Sequence, residues 1–122
     1  MGLKDCYNFE DFRKIAKKKL PEPIFHYIDG GSDDELTLKR NTESFSKCDL
    51  VPNILASVGE PDLSTTVMGT KIDMPLFLSP TAMQRLYHHD GDKASARAAE
   101  KFGTFYSMST MATSSIEEIS NI

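Results

Sequence analysis

The segment Met74–Met83, MPLFLSPTAM, decides how this chain is expected to fold, because a short apolar run ends there in a polar turn. A similar pattern returns at Phe105–Met111, FYSMSTM, and the alanine-rich segment Lys93–Phe102 between them is typical of a helix. Strand, helix and strand in this order predict a βαβ unit. In parallel α/β proteins the functional groups lie at the carboxyl ends of the strands. We therefore expect functional groups just after both apolar runs.

The segment Leu76–Ser79 lacks the alternation of a half-exposed strand, which predicts a strand that is covered on both faces. A complete (β/α)8 barrel needs roughly 250 residues, or about 31 for each βα unit. The chain has 122 residues, so it holds at most the first two strands of such a barrel. We expect the α/β fold of an N-terminal part of a TIM barrel, incomplete in this chain, with unpaired strand edges.

The residues before Cys48 favour three helices, because each predicted helix has residues that are typical of helix starts or ends. The predicted boundaries are Asn8 and Pro21 for the first helix, Pro23 and Gly30–Gly31 for the second, and Asp33 or Asp34 as the N-cap of the third.

Two further elements follow from local signals. Thr65–Met68 and Lys71–Ile72 around Gly69-Thr70 are typical of a β-hairpin. Ser114 with Glu117 matches a capping box, which predicts a last helix from about Ser115. We therefore divide the chain into a helical cap with the hairpin, residues 1–73, and the first βαβ portion of a truncated barrel, residues 74–122.

The composition excludes several classes of protein. The net charge of −4 argues against a nucleic-acid-binding protein, which normally has a basic face. The one basic run, Lys17–Lys19, falls in the last turn of a predicted helix, where cations offset the macrodipole. Cys6 and Cys48 do not form a disulfide framework or a zinc motif. No apolar run approaches the roughly 20 residues of a membrane span, and we expect a cytoplasmic protein with reduced thiols.

Several segments together resemble the FMN-dependent α-hydroxy-acid dehydrogenase and oxidase family, which includes L-lactate dehydrogenases and glycolate oxidases. The resemblance runs from about Asn8 to the last residue, in the order and spacing of the family. It is carried by Phe25–Gly31 (FHYIDGG), Asp33–Arg40 (DDELTLKR), Asp62–Gly69 (DLSTTVMG), Met74–Gln84 (MPLFLSPTAMQ) and Ser109–Glu118 (STMATSSIEE).

The resemblance implies a TIM barrel with a helical N-terminal cap and FMN at the carboxyl ends of its strands. By position, Pro80, Thr81 and Ala82 match the loop whose backbone lies against the flavin ring, where a large side chain would block the ring. Ser109 matches a serine that hydrogen-bonds the flavin. Tyr27 matches the tyrosine whose hydroxyl binds the substrate carboxylate. Without the resemblance, Tyr27 is more typical of helix packing and Ser109 of a strand-end hydroxyl.

The resemblance also implies what the chain lacks and what it oxidises. The family's base histidine, carboxylate-binding arginines and flavin-proximal lysine have no match, so no catalytic residue is expected in this chain. His88 and His89 lack the spacing of a metal site, and no metal is expected. Met111 occupies a position that is aromatic in glycolate oxidase and aliphatic in lactate-oxidising members, which favours L-lactate because Met leaves room for a methyl group.

Three functions remain open at this point. The first is FMN-dependent oxidation of an L-2-hydroxy acid, L-lactate or alternatively glycolate, by a longer enzyme of which this chain is an N-terminal fragment. The second is a non-catalytic interaction module derived from the same family, and the third is an unrelated small α/β binding domain. For the enzyme we expect a homo-oligomer that uses oxygen, a quinone or a cytochrome as electron acceptor. We expect it in the cytoplasm, with peripheral binding to the inner face of a membrane as the alternative.

Overall fold

The computed structural model describes residues 2–55 and 59–122, and the chain divides into two compact units, residues 1–56 and 57–122. Within the described part, the first unit contains α1 (Phe9–Lys19), α2 (Glu22–Asp29) and α3 (Leu36–Glu43), with short 3₁₀ turns at Leu3–Asp5 and Phe45–Lys47. The second contains strands β1 (Thr65–Val67) and β2 (Thr70–Ile72), a 3₁₀ turn at Gln84–Leu86, and helices α4 (Asp92–Lys101) and α5 (Ile116–Ser120).

Helix α1 confirms its predicted boundaries, whereas α2 begins at Glu22, one residue before the predicted start at Pro23, and ends before Gly30 as predicted. The Asn8 side chain caps α1 by accepting a hydrogen bond from the Asp11 N–H at 3.0 Å, and the three lysines lie in its last turn. The Arg13 guanidinium binds both carboxylate oxygens of Asp29 in α2, at 2.6 and 2.9 Å. This bidentate hydrogen bonding holds the pKa of the Asp29 carboxyl below its usual value. A small apolar core of Ile15 and Phe25 lies in this unit.

The predicted N-cap of the third helix is wrong. The cap residue is Glu35, in the left-handed region at φ 57°, rather than Asp33 or Asp34, and no side chain caps this helix. The Glu35 carboxylate instead accepts a hydrogen bond from the Gly31 N–H at 3.1 Å. The chain therefore turns sharply between the glycines that end α2 and the first turn of α3.

The hairpin is present, with its turn one residue earlier than predicted. The turn residues are Met68 and Gly69, at φ 51° and 82°, the two positive values that a tight hairpin turn needs. Just after β2, the Asp73 N–H donates to the Gly103 carbonyl at 2.8 Å. The hairpin therefore lies in the second compact unit, residues 57–122. The domain boundary predicted from the sequence, after residue 73, stays a prediction.

The predicted strands at Leu76–Ser79 and Phe105–Met111 are reduced to one parallel bridge between Leu78 and Tyr106. The Leu78 N–H donates to Phe105 O, and the Ser107 N–H donates to Leu78 O, both at 3.0 Å. The prediction that Leu76–Ser79 is buried on both faces is also wrong, because Leu76 is 64 % exposed and Leu78 is 38 % exposed. Each segment has one strand neighbour within the described residues, which limits both pairing and burial.

Helix α4 follows the predicted segment, shifted by one residue, and ends in a Schellman motif. Gly103 adopts φ 59°, and its N–H donates to Glu100 O, while the Thr104 N–H reaches back to Ala99 O, each at 3.0 Å. These are the two bonds that define the motif, which confirms Gly103 as the stop. The buried alanines Ala96 and Ala99 form the inner face of α4.

The predicted capping box at Ser114 and Glu117 is wrong by one residue. Ser115 and Glu118 form it, with the Ser115 N–H donating to Glu118 Oε2 at 3.0 Å and the Glu118 N–H donating to Ser115 Oγ at 3.2 Å. Lys93 of α4 fixes this register by pairing with Glu118 at 2.6 Å. None of the helices in residues 2–55 and 59–122 combines the length and apolarity that a membrane span requires.

Candidate functional site

The second unit brings two of the predicted binding segments together. The segments Pro80–Ala82 and Ser109–Met111 each follow one partner of the Leu78–Tyr106 bridge. The Met83 N–H donates to the Met111 carbonyl at 2.9 Å, which joins the backbone at the end of the first segment to the backbone of the second. Two loops that follow the two bridged residues are therefore held side by side.

The first loop presents backbone and small side chains. Pro80 and Thr81 are exposed and Ala82 is half-buried. The Thr81 carbonyl accepts a hydrogen bond from the Gln84 side chain at 3.4 Å. Among the described residues, the Ala82 N–H has no acceptor. The loop thus offers a free backbone donor beside a methyl side chain.

Ser109 shapes the second loop through its side chain. Its Oγ accepts the Met111 N–H at 3.1 Å, and its carbonyl accepts the Ala112 N–H at 3.1 Å. No acceptor for the Ser109 hydroxyl hydrogen lies among the described residues, so that hydrogen is available to a ligand. Ser109 lines a cavity of about 340 Å³, to whose lining Met111 does not contribute, and the Met111 side chain is 55 % exposed.

Tyr27 lies in the first unit, on α2, and its side chain is 56 % exposed. Its neighbour Phe25 is buried in the core of that unit. Tyr27 is therefore not part of the core formed by Ile15 and Phe25 in this unit. The structure brings together the predicted residues of the second unit and describes Tyr27 within the first unit alone.

A buried carboxylate that the sequence did not reveal lies at the start of α4. Asp92 is 0 % exposed; its Oδ1 accepts from the Tyr106 hydroxyl at 2.7 Å, and its Oδ2 accepts from Thr113 N–H and Oγ1 at 2.8 and 2.6 Å. Burial alone would raise the pKa of Asp92, but the hydrogen bonds from Thr113 and Tyr106 favour the ionised form, and the pKa is lowered. Asp92 therefore stays a carboxylate near neutral pH.

The sequence offered a weak signal for this residue. An acidic residue in the first turn of a helix is ordinarily explained by the macrodipole, and Asp92 fits that explanation. Its partners Tyr106 and Thr113 are distant in sequence, so the burial became visible only with the fold. Burial beside Asp92 also raises the pKa of the Tyr106 phenol, which keeps the hydroxyl protonated as a donor.

Two other clusters lie in the second unit. His88, His89 and Asp90 each place one potential metal-ligand atom within 4.8 Å of the other two. The sequence had not indicated this grouping, because adjacent histidines lack the usual spacing of metal ligands. The Asp90 carboxylate is paired with Arg97 at 3.0 Å, and both histidines are exposed. The Ser114 Oγ is buried and lacks a hydrogen-bond partner among the described residues. Cys6 and Cys48 are free thiols.

Comparison with known families gives a match over most of the chain. A family model described as "FMN-dependent dehydrogenase" matches residues 16–122. Glycolate oxidase 1 of Oryza sativa subsp. japonica is 46 % identical over 114 residues, which are 93 % of this chain and 31 % of that protein. Glycolate oxidase of Spinacia oleracea is 42 % identical with the same coverage.

Solved structures match the fold of the chain. A soluble mutant of the membrane-associated (S)-mandelate dehydrogenase from Pseudomonas putida superposes with a TM-score of 0.88 at 36 % identity, over 96 % of this chain and 34 % of the other. A Pediococcus acidilactici protein with a provisional lactate-oxidase name gives a TM-score of 0.87 at 35 % identity, over 96 % and 33 %. The chain thus spans about a third of the length of the relatives that it matches.

Proposed function

Because the chain belongs to the family of FMN-dependent dehydrogenases, with FMN as its cofactor, we propose that it supplies the N-terminal cap and first βαβ portion of a TIM barrel that oxidises an L-2-hydroxy acid to the 2-oxo acid. One observation carries this proposal: the loops Pro80–Ala82 and Ser109–Met111 are joined by the Met83–Met111 hydrogen bond. They follow the one parallel bridge of the described residues, where a barrel places its active site.

The residues of the second unit fit a flavin. The Ala82 N–H and the Ser109 hydroxyl hydrogen have no acceptors among the described residues, and a flavin ring offers nitrogen and carbonyl acceptors. The methyl group of Ala82 leaves the backbone of its loop accessible to a flat ring. We propose Pro80, Thr81, Ala82 and Ser109 as FMN-binding residues.

FMN, when bound, accepts the two electrons that leave the α-carbon of the substrate. The proposed role of Tyr27 is to donate its hydroxyl hydrogen to the substrate carboxylate, a task suited to a directed donor on a rigid ring. No residue of this chain is proposed as the base that takes a proton. His88 and His89 are exposed and are assigned no part in the reaction.

L-Lactate is the proposed substrate. The Met111 backbone N–H donates to Ser109 Oγ, which keeps Met111 in the proposed binding loop, and a flexible thioether there leaves space for the methyl group that lactate has and glycolate lacks. Glycolate is the second candidate, because the 46 % identical relatives are glycolate oxidases. The two acids differ by one methyl group, so the choice between lactate and glycolate depends on the space available at Met111.

Partners and location are proposed from the family. We propose a homo-oligomeric enzyme in the cytoplasm, with oxygen, a quinone or a cytochrome as the acceptor that reoxidises the flavin. Peripheral attachment to the inner face of a membrane is the alternative location, supported by the membrane association of the similar mandelate dehydrogenase. A non-catalytic module is the alternative to an enzyme.

The test is to express the whole reading frame that contains this chain and to purify the product without added flavin. The proposal predicts bound FMN and a kcat/KM for L-lactate above those for glycolate and D-lactate, measured with an artificial electron acceptor. A higher value for glycolate would replace lactate as the substrate. A folded product without flavin that cannot be reconstituted with FMN would support the non-catalytic module instead.

A further inference from the structure

The buried Asp92 carboxylate requires an explanation beyond helix formation. Transferring a charge out of water is costly unless hydrogen bonds or a counter-ion compensate it. Asp92 is 0 % exposed, and none of the lysines or arginines that the structure describes pairs with it. Its compensation consists of the three hydrogen bonds from Tyr106 and Thr113. A first-turn acid that served only the macrodipole would stay in water.

The hydrogen bonds from Thr113 connect Asp92 to the second binding loop, Ser109–Met111. Thr113 gives both its backbone N–H and its hydroxyl to the same oxygen of Asp92, at 2.8 and 2.6 Å. It lies two residues after Met111 and four after Ser109. Both a backbone and a side-chain bond therefore fix the end of this loop to the rigid start of α4.

The hydrogen bond from Tyr106 connects Asp92 to the first binding loop. The Tyr106 hydroxyl donates to Asp92 at 2.7 Å and accepts from Gln84 Nε2 at 3.1 Å. Gln84 Nε2 also lies 3.4 Å from the Thr81 carbonyl, and Gln84 Oε1 accepts from Ser95 of α4 at 2.7 Å. A continuous chain of hydrogen bonds thus runs from Thr81 to Thr113 through Asp92.

We propose that Asp92, acting through Tyr106 and Thr113, is a positioning residue that fixes the loops Pro80–Ala82 and Ser109–Met111 at the spacing that the flavin requires. This inference rests on the proposed function. Asp92 touches neither substrate nor flavin in this account. Its charge makes the hydrogen bonds stronger than those of a neutral acceptor, and its burial keeps water from competing for them.

A purely structural role makes a different prediction. If Asp92 only stabilises the fold, its replacement lowers the melting temperature, but the folded protein binds FMN with unchanged affinity and an unchanged visible spectrum. If it positions the loops, the folded variant binds FMN more weakly and the flavin absorption bands shift, because the groups around the ring have moved.

The principal variant is Asp92→Asn in the full-length protein, with Asp90→Asn as its matched control. The asparagine keeps the shape but replaces one acceptor oxygen by a donor nitrogen, which then faces either the two donors of Thr113 or the hydroxyl of Tyr106. Asp90 lies two residues away, is partly exposed and pairs with Arg97. It undergoes the same chemical change outside the hydrogen-bond chain.

FMN affinity is measured by titrating the apoprotein and following flavin fluorescence. We expect the Kd for FMN to rise roughly 10- to 100-fold in Asp92→Asn, by analogy with the loss of metal affinity when the hydrogen-bond partners of metal ligands are removed, and to stay within about twofold in Asp90→Asn. In the protein alone, we expect faster hydrogen exchange at the Thr113 amide. An unchanged Kd and flavin spectrum in folded Asp92→Asn would overturn the proposal.

A second pair of variants covers a failure of Asp92→Asn to fold. Thr113→Val removes the hydroxyl at nearly constant shape, and Thr113→Ser keeps it. We expect a higher Kd for FMN in the valine variant and a value close to wild type in the serine variant, whereas equal values in both would overturn the proposal. A wild-type protein that binds no FMN would instead refute the proposed function, so the two failures are distinguishable.

Discussion

Tyr27 is the residue on which substrate binding is proposed to depend. Because its phenol is exposed, replacing it leaves the core of its unit intact. In the full-length enzyme, we expect Tyr27→Phe to raise KM for L-lactate about 10- to 150-fold while FMN is retained. The physical reason is the loss of a hydrogen bond to a charged carboxylate, about 1.5–3 kcal/mol. Steady-state kinetics with flavin absorption checks both parts.

The control for this variant is Tyr7→Phe. Tyr7 lies in the same unit, is 89 % exposed and has no proposed role, so its KM is expected to match the wild type. A Tyr27→Phe enzyme with unchanged KM would assign Tyr27 no contact with substrate.

Met111 is the residue proposed to set substrate preference. We expect Met111→Trp to lower the ratio of kcat/KM for lactate to that for glycolate some 10- to 200-fold, because the indole fills the space of the substrate methyl, worth about 1–3 kcal/mol. Competition between the two acids in one reaction measures this ratio directly.

Met68→Trp is the matched control, because Met68 is 98 % exposed on the hairpin turn. Equal losses on both acids in Met111→Trp would indicate a disturbed fold, and an unchanged ratio would place Met111 outside the pocket.

Among the helices and strands, the sequence predicted the boundaries that are set by residues close to them in the chain. Asn8, Pro21 and Gly103 act within a few residues of their own backbone, so their roles in starting and ending helices were predictable. The sequence around Ser114 and Ser115 allows two capping boxes, and the ion pair of Lys93 with Glu118 selects one of them. Such a choice depends on a residue distant in sequence and was not predictable.

The same distinction applies to the candidate site. The loop residues Ala82 and Ser109 were predicted from family resemblance, and the hydrogen bond from Met83 to Met111 that joins their loops follows from the fold. Asp92 was not predicted because its burial and hydrogen bonding depend on Tyr106 and Thr113, which approach it only in three dimensions. Regular strands were predicted where one bridge exists, because a parallel strand is defined by its neighbours.

The end of α4 gives a test at this scale. Gly103 adopts φ 59°, and a Cβ there would collide with the Asp73 side chain, whereas Gly69 at φ 82° faces open space. We expect Gly103→Ala to lower the melting temperature clearly more than Gly69→Ala, because the left-handed conformation costs about 1–2 kcal/mol in both variants and only Gly103 adds a collision. Thermal unfolding of the full-length variants measures the difference.

Gly59→Ala is the reference for this series, because a Cβ there meets nothing within 4 Å and its φ is not in the left-handed region. Equal melting temperatures for Gly103→Ala and Gly69→Ala would show that the Asp73 side chain moves aside at no measurable cost.

At the scale of the whole molecule, the chain exposes apolar residues that an intact barrel would cover. In the second unit, Leu76 and Phe77 are 64 % and 50 % exposed beside the Leu78–Tyr106 bridge, whose outer edges have no strand partner in residues 59–122. We expect the isolated 122-residue chain to aggregate or to unfold without a sharp transition, as followed by circular dichroism and light scattering. A cooperative melt of a monomer would contradict this.

We propose that the full-length protein oxidises an L-2-hydroxy acid at a flavin held partly by this chain. The most direct test is to mix the purified holoprotein with L-lactate in the absence of oxygen and to follow the visible flavin absorption. We expect rapid bleaching with L-lactate, none with D-lactate, and recovery of the absorption when an electron acceptor is added. A bound flavin that neither L-lactate nor glycolate bleaches would contradict it.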